Sequence, residues 1–301
     1  MKKILFLLSV AIFAVNCGSN EGPETPTPPQ SKYKKYAGDD ELKIMSFNLR
    51  TSGMDKDTPN HWDNRKAACV SLIRDHKPTI MGVQEATYTD QWDWLRKQLK
   101  RDGYDGYGVN RQTGKESGAG EVPGILYDTK VIKKIEVGTF WLSETPDKPS
   151  KGWDANYYRS ATWGLFQHIP SGEEFFFVNT HLDHESTTAQ VEGMKLIAAK
   201  LKEYKDDCPV YLTGDFNVLA TDKAMNAISD FMRNARMYAY PTDKYGTTNG
   251  FNTSSSTKTI DHIYYRKDLK PVEYYTIREA YEGVTYVSDH FPIYAIVKIK
   301  K

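Results

Sequence analysis

The apolar positions of this chain fall in short runs: LKIMSF, TIMGVQ, GILY, EEFFFVNTHL, CPVYLTGDF, TIDHIYY and YAIVKIK. Runs of this length, rich in β-branched and aromatic residues and bounded by polar clusters, predict strands. The stretches around Trp141 and Trp163 are strand-like as well. Between the runs lie segments with helical spacing, Asn64 to His76, Asp90 to Lys100 and Ser186 to Tyr204. In the last, Val191, Met194, Ile197, Ala198 and Leu201 recur at steps of three and four, so they share one helix face. Strands alternating with helices predict layered α/β packing. No second linker interrupts residues 39–301, which are read as one domain.

The first 38 residues have a different pattern. Lys2 and Lys3 precede an apolar run from Ile4 to Val15, followed by Asn16 and Cys17. A helix of that length reaches only about 18 Å, short of a bilayer core of roughly 30 Å. The run is therefore read as a signal peptide over residues 1–16. Its AVNC ending resembles a bacterial lipobox, which implies Cys17 as the lipidated first residue of the mature chain, with Asn16 in place of the usual small residue; a plain secreted protein with an incidental cysteine is the alternative. Residues 17–38, with TPTPP at their centre, lack the apolar surface to fold and read as a tether. The expected setting is extracytoplasmic, membrane-anchored by lipid alone, with no obligate protein partner.

Charge narrows the function. With 40 basic and 39 acidic side chains the net charge is +1, and removal of the two leader lysines makes it −1. Neither a strongly basic nucleic-acid-coating protein nor an acidic disordered chain has this balance. Three cysteines are too few for a disulfide framework and form no CxxC pattern; Cys69 and Cys208 are read either as one bridge or as buried thiols.

Chemistry collects at the ends of the strand-like runs. MSFN ends at Asn48 and VQE at Glu85; NTHLDH holds His181 and Asp183, LTGDFN holds Asp215 and Asn217, TIDH holds Asp261, and SDHFP holds Asp289 and His290. Oxygen donors such as Glu85, Asp289 and Asn48 or Asn217 suit Mg²⁺ or Mn²⁺ better than zinc. An Asp bonded to a His fixes the tautomer and raises the basicity of the ring, so Asp261 with His290 makes a general base for water. His181 can hold a nonbridging phosphate oxygen or protonate the leaving group. Together these parts describe metal-assisted phosphoester hydrolysis.

This ordered set of motifs resembles the endonuclease/exonuclease/phosphatase superfamily, from about Leu42 to Ile299. The resemblance implies a four-layer α/β sandwich of two mixed sheets packed face to face, with helices outside. It further implies Glu85 as a metal-binding glutamate, Asn48 as support for metal and phosphate, and His181 as a phosphate contact. Asp215 would align or activate water, Asn217 would touch phosphate, Asp261 would orient the base, and Asp289 with His290 would supply metal ligand or water orienter and general base. There are departures. Arg50 stands where abasic-site endonucleases carry an aspartate, and His262 where tyrosine is common. Asp183 and His184 are extra polar groups, treated with Arg159, Trp62 and Trp153 as candidates for substrate contact. Arg159 could equally form a structural salt bridge. GTFWLSETPD, KGWD and YRSATW look like a bacterial branch with mostly unassigned substrates.

The leading expectation is a small-molecule, lipid or glycan-linked phosphoester as substrate. An extracellular nuclease is the alternative among enzymes, with nucleic acid as substrate, although near-neutral charge disfavours tight duplex binding. A non-catalytic glycan-binding surface lipoprotein is the alternative of another class.

Overall fold

Why Asn48, Glu85, His181 and Asp215 can meet follows from two strand pairs. The structure is a computed structural model that describes residues 36–203, 208–252 and 258–300. The signal peptide, Cys17 and most of the tether lie outside those residues. The first half runs β1 (Glu41–Asn48), α1 (Trp62–His76), β2 (Ile80–Thr87), α2 (Asp93–Lys100), β3 (Tyr104–Tyr107) and β4 (Glu121–Asp128). The second half runs β5 (Ile132–Trp141), β6 (Ser160–His168), β7 (Glu174–His181), α3 (Thr187–Lys202), β8 (Val210–Asp215), β9 (Met232–Asn234), α4 (Ala235–Tyr238) and β10 (Asp261–Arg266). β11 (Pro271–Thr276) and β12 (Ile293–Lys298) then return to the first half.

Two six-stranded sheets result, ordered β11-β12-β1-β2-β4-β3 and β5-β6-β7-β8-β10-β9. At the centre of each is a parallel pair, β1 with β2 and β7 with β8, and every other pairing is antiparallel. A parallel pair needs a crossover, and α1 and α3 supply the two. Both pairs end at the same edge of the sandwich, so strand-end side chains converge there.

The layers follow from the two-residue period of the strands. In β1, Leu42 and Ile44 face the second sheet, while Met45 and Phe47 face the helices; in β7, Phe175 and Phe177 face the first sheet, while Phe176 and Val178 pack toward α3. Both central strands are therefore covered on both sides, and all eight positions of β1 are buried. Four layers result, α1 and α2, two mixed sheets, then α3, as the resemblance implied.

The helices begin where local chemistry allows. The Ser186 Oγ accepts the Ala189 N–H at 3.0 Å and caps α3, whose buried face includes Met194, Ile197, Ala198 and Leu201, with Val191 half-buried. One wide turn, Tyr88–Trp92, occupies the start of the stretch expected as helix from Asp90. No disulfide joins Cys69 and Cys208, which lie in the two opposite helix-facing layers. Cys69 is buried and Cys208 half-buried.

Beneath the site edge the sheets are stitched by polar side chains. Asn179 of β7 donates to the Val83 and Gly124 carbonyls at 2.9 Å each, and its Oδ1 accepts from Gln84 at 2.7 Å and Thr213 at 3.1 Å. Gly82 makes room for this: a Cβ there would lie 2.2 Å from both Asn179 Oδ1 and Thr213 Oγ1. Gly82→Ala is expected to cost about 3 kcal/mol through overpacking, read as a lower denaturant midpoint with unchanged slope. An unchanged midpoint would show that the network can move aside.

Candidate active site

The side chains that converge at the edge are delivered by unusual backbone. Glu85 lies in β2 where the register with β4 shifts, between Val83 and Ala86, and its φ is 58°. A bulge re-aims a strand residue, and here it turns the Glu85 carboxylate toward the cleft. Arg50 and Asn217, each two residues beyond a site residue at a strand end, are also left-handed, with φ of 55° and 54°. Non-glycine residues adopt this region at a cost of about 1–3 kcal/mol, and such strain gathers at functional sites.

Asp215 is the hub. Its Oδ2 accepts the Asn48 amide at 2.9 Å and lies 3.6 Å from His181 Nε2 and 3.8 Å from His290 Nδ1. Its Oδ1 accepts the Asn217 N–H at 2.9 Å. Opposite it across the β8–β10 ladder stands Asp261, whose Oδ2 is 2.8 Å from His290 Nδ1. Thr247 fixes that pair, because its Oγ1 accepts the Asp261 N–H at 3.1 Å and its carbonyl accepts the Phe291 N–H at 2.7 Å. Asn249 clamps the neighbouring turn, donating its amide to the Ser288 carbonyl at 3.0 Å and its backbone N–H to the Asp289 carbonyl at 2.7 Å.

Burial and neighbouring charge set the protonation states. Burial, then the Asp261 charge, push Asp215 up to about 7. His290 goes well above the ordinary histidine value: burial opposes this, but Asp261 and Asp215 outweigh it. His181 goes the other way, held well below by burial and by the positive charges of Arg159 and Arg111, so it is neutral near pH 7. Burial would raise Glu85, yet the Asn48 amide, the His290 charge, the Thr51 N–H and Arg50 together hold it below the usual carboxylate value. Two histidines in one cleft are thus pushed apart, the arrangement expected of groups with opposite proton roles.

A hard divalent cation fits the donors present. Ligand atoms of Glu85, His181 and Asp215 lie within 4.8 Å of one another, and so do those of Asp215, Asp261 and His290. Oxygen predominates, and Glu85 is held ionised, which suits Mg²⁺ or Mn²⁺. Bound there, such an ion would neutralise phosphate charge. Asn48 serves this centre differently from an oxygen ligand. Its Oδ1 accepts the Arg50 N–H at 2.9 Å, and its amide nitrogen donates to Glu85 and Asp215 at 2.9 Å each, so it fixes the two carboxylates relative to each other. Asp289 Oδ2 lies 3.3 Å from the Arg50 guanidinium. Asn217 donates its side-chain amide to the Leu182 carbonyl at 3.1 Å.

The expected substrate contacts divide. Arg159 is 3% exposed; its Nε is 3.4 Å from Asp183 Oδ2 and its Nη2 is 2.7 Å from His184 Nδ1. Asp183 Oδ1 accepts the Glu185 and Ser186 N–H groups at 2.9 and 2.8 Å. Arg159 and Asp183 therefore build the loop after β7. His184 reaches the surface, its ring 5.1 Å from that of Tyr157, an exposed aromatic that the sequence reading passed over. Trp62 is not at the rim: it is 3% exposed in the helix-facing core, its indole N–H bonded to the Asp90 carbonyl at 3.2 Å. The indole, expected in loop sequence, opens α1 instead. Trp153 is half-buried, packed toward the α3 layer, its backbone N–H on the Glu144 carboxylate. His262, in the place where tyrosine is common, is buried between the Val218 carbonyl and Asn234, and burial pushes it down to about 4.

A metal-ready carboxylate cluster beside an Asp–His pair, at the edge of a four-layer sandwich, defines a class of phosphoester hydrolases. The profile of the Endonuclease/Exonuclease/phosphatase family matches residues 45–290, and the chain belongs to that family. The crystal structure of a member from Bacteroides vulgatus is similar at 32% identity, covering 86% of this chain and 99% of that one, with a TM-score of 0.79. A mannosyl-6-phosphatase from Bacteroides thetaiotaomicron is 34% identical over 85% of this chain and 99% of its own, with a TM-score of 0.76. An uncharacterised protein of Acanthamoeba polyphaga mimivirus is 27% identical over 263 residues, 78% of this chain and 91% of its own length.

Proposed function

We propose that the chain is a divalent-metal-dependent phosphatase or phosphodiesterase acting on small or glycan-linked phosphoesters, with a sugar phosphate as the leading substrate, outside the cytoplasm from a lipid on Cys17. The observation that carries the hydrolytic reading is the 2.8 Å Asp261–His290 pair set against Asp215. In this reading His290 takes the proton of the attacking water, Asp261 holds its tautomer, and neutral His181 donates to a phosphate oxygen. The sugar is supported by the 34% identity to the mannosyl-6-phosphatase and by the exposed Tyr157 ring beside His184. Aromatic faces stack on apolar sugar faces. Charge near zero weighs against a duplex-specific nuclease.

The test is a hydrolysis panel on the full chain in detergent with Mg²⁺, Mn²⁺ or EDTA. The substrates are mannose 6-phosphate, a mannosyl phosphodiester, bis-p-nitrophenyl phosphate, an inositol phosphate, sphingomyelin, RNA and single- and double-stranded DNA. Metal-dependent turnover fastest on a sugar phosphate is expected. Fastest turnover of DNA or RNA would make the chain a nuclease, and glycan binding without turnover of any ester would make it a binding module. In the producing cell, Cys17→Ala is expected to move the protein from the membrane to the soluble fraction; persistence in the membrane would rule out the lipid anchor.

A further inference from the structure

We infer that Arg50 is a fixed cation standing in for a second metal ion: the chain holds one divalent ion at Glu85, and the guanidinium neutralises Asp289. The assignment rests on the metal-dependent reading above and adds to it the number of ions and the role of Asp289. Asp289 belongs to neither group of mutually close ligand atoms. Its Oδ2 is 3.3 Å from an Arg50 Nη, and its Oδ1 accepts the Ser288 hydroxyl at 3.2 Å.

The guanidinium is built in from several directions. Its Nε bonds Asp55 Oδ2 at 3.0 Å, and the backbone N–H is held by Asn48 Oδ1 at 2.9 Å. The Arg50 carbonyl accepts the Gln91 amide at 2.9 Å and the Arg65 guanidinium at 3.4 Å. These contacts hold an arginine in the left-handed region, at φ 55°, where a long side chain has no intrinsic reason to be. The head group remains 26% exposed, so it can face a bound anion. Unlike a histidine or a metal, arginine neither loses its charge nor dissociates. A second divalent ion at Asp289 would have to sit against that charge.

The experiment counts bound Mn²⁺ by electron paramagnetic resonance on the full chain, without substrate, in wild type and in Glu85→Gln, Asp289→Asn and Arg50→Asp. One ion is expected in wild type. Its affinity should fall about tenfold or more in Glu85→Gln and stay within about threefold in Asp289→Asn. Arg50→Asp should bind two ions, since aspartate tolerates the left-handed backbone and gives Asp289 a carboxylate neighbour. Two ions in wild type, or a loss of about tenfold in Asp289→Asn, would overturn the assignment, as would a single ion in Arg50→Asp that is folded by circular dichroism. If Arg50→Asp does not fold, the wild-type count and Asp289→Asn decide. No bound Mn²⁺ in wild type would overturn the metal reading together with this one, whereas two ions would overturn this one alone.

Discussion

His290→Ala is expected to lower turnover of the best phosphoester about 10³-fold, the middle of the range for loss of a positioned general base. KM should change far less, because the ring acts on water rather than gripping the substrate. The imidazole is held by Asp261 at 2.8 Å on one nitrogen, and the turn that carries it is tied to Thr247 and Asn249 through the backbone. Those backbone bonds do not need the ring, so the variant should fold, with a circular dichroism spectrum like that of wild type. A rate within about threefold of wild type would remove His290 from the water-activating role.

Protonation adds a sign to that expectation. His290 has a folded pKa raised well above its ordinary value, chiefly by Asp261 and Asp215 against the effect of burial. In metal-free protein this contributes stability that is full below about pH 6.5 and lost as pH rises through the raised value. A base must be neutral to work, so the negative charge around His290 has to be compensated when the site operates. A cation at Glu85 would do so, and Arg50, beside Asp289, supplies a permanent part of that compensation. Burial and the Arg159 and Arg111 charges keep His181 neutral without such help.

Much of this site was legible because strand ends announce themselves. The buried runs of β1, β2, β7, β8, β10 and β12 stand out as apolar, and a polar residue at or just beyond the end of such a run has few structural uses. What escaped were the sheet edges, apart from the Trp141 end of β5. β3 and β11 border the first sheet, and β5 and β9 the second. An edge strand faces water and carries charge or proline to avoid further pairing, so in IKKIEVGTFW the buried Ile132 is followed by four exposed residues, Lys133 to Glu136, and β11 opens on Pro271 with a register shift. The Glu85 bulge and the Asn179 stitch were equally hidden, since each depends on which strand lies opposite. Trp62 misled for a related reason: Asn60 and His61 read as loop, but the helix that follows them buries the indole against Trp94.

Asp215→Asn should uncouple activity from stability. Turnover is expected to fall about 10³-fold, since the substitution removes the charge at the centre of the site, and electrostatic groups of this kind contribute on that scale. Stability should respond in the opposite sense over one pH interval. Burial and the Asp261 charge push the Asp215 carboxyl up to about 7, so in metal-free protein its ionisation opposes folding. The sign follows from linkage: the penalty is absent below the unfolded value near 4, grows as pH rises, and is complete above about 7. Asparagine has no such titration. Melting temperatures measured in EDTA from pH 4 to pH 8 should therefore fall less steeply in Asp215→Asn than in wild type, even though the variant loses one acceptor to the Asn48 amide. Parallel curves would mean that Asp215 is not the group whose charge the fold resists. A flattened curve together with lost turnover would show that the carboxylate is kept for the chemistry, at the expense of the metal-free fold.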